Sequence, residues 1–244
     1  MTNRLAIETS TEACSLALSS GDRTYARHVV AGRDQTVVLL PLFHELLSEA
    51  KLTIHDVSGI ACSVGPGSFA GVRIGVGFVK GLALVRDVPI VGVVSLATLA
   101  LGAMRRTGAS RVIACIDARM GEVYAGSYER DANGLARVVD EPRVGKPDAV
   151  SLRIEPPFAA TGTGWRTYGS VLRDRAGVAP AIVEPDALPE AIDTLALARP
   201  AFEKGETMRV DALEPLYLRN DVALTLEQQA RLRQSKTNDK KETT

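Results

Sequence analysis

The stretch GPGSFAGVRIGVGFVKGLALV, residues 65–85, puts six glycines into its first 17 residues. Its second half nevertheless has the apolar content of a helix, and a glycine inside a helix costs about 0.5–1 kcal/mol relative to alanine. Something must offset that cost. The apolar run VSGIACSVG ends in Gly65, which with Gly67 and Ser68 leads into the helix, so these residues form either a tight strand-to-helix turn or an anion cradle at a helix N-terminus. No G-x-x-x-x-G-K-[ST] can be drawn here, so the loop is not a P-loop. Gly71 and Gly75, then Gly77 and Gly81, lie four apart and share helix faces, as close approach by another helix or strand would require.

The rest of the chain sets this helix in an α/β frame. RLAIETSTEACSLALSSGDRTYARHVV reads as three strands, DQTVVLLPLFHELLSEAK as a helix with Asp34 as cap and a kink at Pro41. PIVGVV is a buried strand, and SLATLALGAMRR a helix capped by Ser95. Continuous apolar strands alternating with helices predict a sheet covered on both faces. A second unit opens in the same way: RVIACIDARMGEVYAGSYERDANG aligns with RLAIETSTEACSLALSSGD, placing Ile116 over Ile7 and Asp117 over Glu8. The strand PFAATGTGW and helices RTYGSVLRDR and IDTLALARPAFEKG complete it, so a duplicated α/β domain with a cleft between the copies is expected. The division falls at residues 1–107 and 108–223, the last segment free to return to the first unit, followed by a polar tail, 224–244.

Composition narrows the function classes. The net charge is zero and aromatics are 5%, which gives no broad footprint for nucleic acid or an anionic membrane. The most apolar stretch carries Arg73 and Lys80 and is too short to span a bilayer, and the N-terminus lacks an apolar signal core, so a cytoplasmic chain is expected. Cys14, Cys62 and Cys115 each sit alone in apolar runs and read as buried reduced thiols. The three histidines are scattered with no metal-ligand spacing. Glu8 with Thr9 and Ser10 would hold a metal–phosphate through water, if the glycine loop faced phosphate.

Together, AIETSTEACSLAL, LLPLFHELL, GPGSFAGVRIGVGFVKGLAL, IDARMGEVY, TGTGW and EPLYLRND resemble the bacterial TsaB (YeaZ) family over residues 3–222. The resemblance implies an actin-like ATPase (ASKHA) fold with two RNase H-like domains in tandem. It also implies a role in forming N6-threonylcarbamoyladenosine at position 37 of tRNAs that read codons starting with A. In that pathway the paralogue TsaD carries the active site, TsaB is its partner, and the ATPase TsaE completes the complex. Where TsaD-type proteins carry two metal-binding histidines, this chain has Ser95 and Leu99, which cannot replace imidazoles on a metal. Glu8, longer than an aspartate, would crowd a metal–phosphate. No catalytic residue and no metal are expected, and Glu8, Thr9, Ser10, Gly65, Gly67 and Ser68 read as degenerate phosphate-type loops. No cofactor is expected, with ATP or ADP at the partner interface left open. A small-molecule kinase or ATPase is the alternative; a metalloprotease lacks its histidines.

The resemblance also gives the all-round apolar helices a purpose. Val37, Leu40, Phe43, His44 and Leu47 on one, with Arg73, Val76, Gly77 and Lys80 on the other, are expected to meet the matching helices of TsaD, or a second copy when the protein is isolated. Val76 is expected on the face that Arg73 and Lys80 mark, open to water in the monomer.

Overall fold

A computed structural model describes residues 2–219. The stretch 224–244, read as a polar tail, lies outside them.

Two five-stranded sheets share one topology. The first comprises β1 (Asn3–Glu8), β2 (Ala13–Ser20), β3 (Arg23–Val30), β4 (Val57–Gly65) and β5 (Ile90–Val94); the second comprises β6 (Arg111–Arg119), β7 (Glu122–Arg130), β8 (Ala136–Gly145), β9 (Ala159–Thr161) and β10 (Ile182–Glu184). Their orders are β3-β2-β1-β4-β5 and β8-β7-β6-β9-β10. In each, an antiparallel meander supplies three strands and two parallel strands follow. The alignment of Glu8 with Asp117 is therefore a match of position: each ends the apolar part of the central strand. This is the tandem architecture of the actin-like fold.

The helices are α1 (Gln35–Ala50), α2 (Phe69–Val85), α3 (Ser95–Thr107), α4 (Thr163–Ala176) and α5 (Ala191–Lys204). α1 and α2 cover one face of the first sheet, where Leu39, Phe43, Val72 and Val76 pack on Leu5, Ile7 and Ile60. α4 covers the matching face of the second sheet through Trp165 and Leu172. The other two helices are exchanged. α3, from the first half of the chain, packs Leu96, Leu99 and Met104 on the second sheet. α5, from the second half, lays Ala191, Leu195 and Ala198 on Ala6, Ala17 and Ala61 of the first. The packing boundary thus does not follow the 107/108 division of the chain. After α5 the chain returns to the first half, where Met208 pairs with Ile90 and Leu213 is buried.

Pro41 lies inside α1, as the sequence pattern placed it. Two local expectations need adjustment. Asp34 occupies the cap position without a side-chain cap bond. Ser95 is the first residue of α3 and not its cap; its hydroxyl instead meets Ser63 Oγ at 2.6 Å. Among the described residues, no helix is long and apolar enough to cross a membrane.

Candidate functional site: a closed glycine loop and an open helix face

The turn after β1 and the glycine loop after β4 do meet, but they close on each other. The Ser68 amide donates to the Ser10 carbonyl at 2.6 Å, and the Ser68 hydroxyl caps α2 by accepting from the Gly71 amide. Thr9 Oγ1 donates to the Gly71 carbonyl at 2.8 Å. A Cβ at Gly67 would lie 2.1 Å from the Ser10 carbonyl oxygen, and one at Gly71 would lie 2.1 Å from that of Thr9. These two glycines therefore serve backbone-to-backbone approach within the chain. The Ser68 amide, one of the donors that would cradle a phosphate, is spent on the neighbouring turn.

Gln35, which sequence reasoning passed over, fixes the arrangement. Its buried amide nitrogen shares its two hydrogens among the carbonyls of Thr9, Thr11 and Ala13, at 3.1, 2.6 and 2.7 Å. The signal was present: an amide in the first turn of α1, where the helix pattern calls for an apolar residue facing the sheet.

Glu8 is buried, and among the described residues no cation lies beside it. Oε1 accepts from the Ser10 amide at 2.6 Å, while Oε2 has no hydrogen-bond partner. Burial pushes its carboxyl up to about 7, against the opposing pull of the Ser10 amide and the nearby Ser10 and Ser63 hydroxyls. A carboxyl in this setting is drawn toward the neutral acid, which has little use as a metal or phosphate partner. Ser95 and Leu99 are likewise buried. Among the described residues, no group of three or more His, Cys, Asp or Glu side chains is placed to hold a metal ion.

Between the halves lies a cleft of about 510 Å³, with Ser10, Gly67, Ser68 and Phe69 on one wall and Asp117, Arg119, Thr163 and Arg166 on the other. Asp117 accepts from the Arg119 amide at 2.8 Å and its own amide donates to Thr163 Oγ1 at 3.1 Å. Both carboxylate-bearing strand ends thus engage their own turns.

The outer helix face is different. α1 and α2 meet where Gln35 nears Gly71 and where Phe43 packs edge-on against Phe78 at 5.5 Å. Outside this contact Val37 is 68% exposed, Leu40 49% and Leu84 90%, with His44, Arg73 and Gly77 also exposed and Lys80 half-buried. A Cβ at Gly77 or Gly81 would meet nothing within 4 Å. The expectation for Phe43, Leu47 and Val76 is corrected: they are 3%, 6% and 5% exposed and belong to the first core. Val76 lies about 60° around the helix from Arg73, toward Val72, and that turn suffices to bury it. Phe69, Leu84, Val85 and Tyr217 were missed, and all are exposed; for the three on α2 the signal was an apolar run broken only by Arg73 and Lys80.

A protein from Escherichia coli K12 described as "tRNA threonylcarbamoyladenosine biosynthesis protein TsaB" is 41% identical over 90% of this chain and 95% of its own. A protein of the same description from Haemophilus influenzae is 34% identical over 89% and 94%. The chain belongs to the TsaB family. A solved structure described as "YeaZ from Pseudomonas aeruginosa" superposes with a TM-score of 0.84 at 39% identity, covering 89% of this chain and all of that one. The family model described as "TsaD: tRNA N6-adenosine threonylcarbamoyltransferase" matches residues 29–157.

Proposed function

We propose that this chain is a non-catalytic subunit in the formation of N6-threonylcarbamoyladenosine at position 37 of tRNA. It supports the catalytic paralogue TsaD in the cytoplasm, together with TsaE, and reaches tRNA through the complex. The observation that carries this reading is the pair Gly77 and Gly81, helix-interior glycines facing open space on a helix that also exposes Leu84 and packs against α1, with its exposed Val37 and Leu40. Within the chain these glycines weaken α2 and meet nothing; a helix laid across them gives them a use, because missing side chains let backbones approach. The same face serves a second copy when TsaD is absent.

The non-catalytic part of the reading is supported by the closed loop and by Glu8. The alternative, an actin-like kinase or ATPase, needs an ionised carboxylate at the end of β1, and burial works against ionisation there. Any ATP or ADP is expected at the interface with TsaD, not in the closed loop.

Reconstitution tests this. With TsaD, TsaE, tRNA and the threonylcarbamoyl donor, modification should depend on adding this chain, and a folded Glu8→Gln variant should support it fully. Modification that proceeds without the chain, or that fails with folded Glu8→Gln, would reject the reading.

A further inference from the structure

Residues 213–219 tie the two halves together beside the cleft. Leu213 is buried in the first core, and the Leu216 amide donates to the Val64 carbonyl at 2.7 Å. At the other end Arg219 donates to the Ala118 carbonyl at 3.3 Å and pairs with Glu122, both at the β6–β7 turn of the second half. Leu216, Tyr217, Leu218 and Arg219 all line the cleft. Away from them the halves are held by the α3–α5 contact, where Thr98 meets Thr194 at 3.2 Å and Arg105 grips Asp193 with two hydrogen bonds of 3.0 and 2.9 Å. A looser tie, Arg166 to Glu12 at 3.7 Å, spans the cleft itself.

The same segment is wired to the outer face of α2. Lys80 Nζ lies 2.9 Å from Glu214. The Arg73 guanidinium sits 3.3 Å over the centre of the Phe69 ring and 5.3 Å from that of Tyr217, whose rings are 6.3 Å apart. Phe69 and Tyr217 line the cleft and Arg73 does not. A single layer of side chains therefore joins the helix face to the cleft wall.

We propose that residues 213–219 are a latch that sets the opening of the cleft, and that a protein docking on α2 works this latch through Arg73 and Lys80. The second clause rests on the docking reading above. A partner that draws Arg73 from the Phe69–Tyr217 stack, or Lys80 from Glu214, removes anchors from the first-half end of the latch. The halves then turn about the α3–α5 contact. Cation–π and exposed ion-pair contacts are each weak, so docking suffices to break them.

Spin labels on Thr36→Cys in α1 and Ser170→Cys in α4 report the opening of the full chain. Both sites are exposed, and the natural cysteines are buried and escape labelling. Labelled protein diluted into unlabelled protein confines the signal to one chain. Arg219→Ala should shift the label distance longer and broaden it, with a melting temperature close to that of the parent. Glu122→Gln breaks the same tie from the other side and should do likewise. Arg73→Ala with Lys80→Ala should shift the distance in the same direction, while Leu84→Glu, which touches the docking face but not the latch, should leave it unchanged. An unshifted distance in both folded Arg219→Ala and Glu122→Gln overturns the latch; an unshifted distance in the Arg73–Lys80 variant overturns its link to α2. These readings need no partner, so they stand apart from any failure of TsaD to bind.

Discussion

Val76→Glu should abolish the folded state of the isolated chain. Val76 is 5% exposed and packs in the first core with Val72 and Val79. A carboxylate there is drawn into apolar surroundings, and burying one costs several kcal/mol. That is a large share of the 5–15 kcal/mol by which a typical domain is stable. Thermal melting by circular dichroism checks this, with little soluble, cooperatively melting protein expected. A melt within a few degrees of the parent would return Val76 to the surface and restore it as an interface residue.

Glu8→Gln should stabilise the protein, and only above acid pH. The Glu8 carboxyl rises from 4.5 to about 7 on folding, chiefly through burial. Because the folded pKa is the higher one, the native state holds the proton more tightly than the unfolded chain does. The stability from the neutral acid is complete below about pH 4.5 and is lost as pH climbs to about 7. The shift corresponds to about 3 kcal/mol at pH 8. A glutamine is neutral at every pH and avoids that loss. Denaturant unfolding at pH 5 and pH 8 should show near-equal stabilities at the lower pH and a clear gain for Glu8→Gln at the higher. Parallel pH profiles for the two proteins would show that Glu8 is ionised in the fold without cost.

Much of this was legible in the sequence because apolar runs report burial directly. LAI, IACS and VIACI are continuous because both faces of each sheet are covered, and the Glu8–Asp117 alignment found the duplication through its two central strands. Exchange of α3 and α5 was not legible: periodicity shows that a helix has a buried face, not which sheet buries it. The short β10 left no pattern long enough to read. At the site, the sequence located the glycine loop but not its occupant, since Gly67 and Gly71 fit an anion or a carbonyl equally well and only the fold brings Ser10 and Thr9 against them. Val76 failed for a geometric reason. A spacing of three or four residues leaves about 40–60° of rotation, enough to carry a side chain from a face to its buried edge.

The docking claim is tested most directly by titrating TsaD from the same organism into the parent chain and into Gly77→Leu and Gly81→Leu variants, by calorimetry. Both positions open to space, so leucine meets no clash within the chain. Each exchange should leave the isolated protein at least as stable, by about 0.5–1 kcal/mol from helix propensity alone. A branched side chain would, however, hold a partner helix away from α2. The expected result is a folded variant, equal or better in thermal stability, that binds TsaD at least tenfold more weakly. Parent-like binding by both leucine variants would contradict the account and place the partner on another surface.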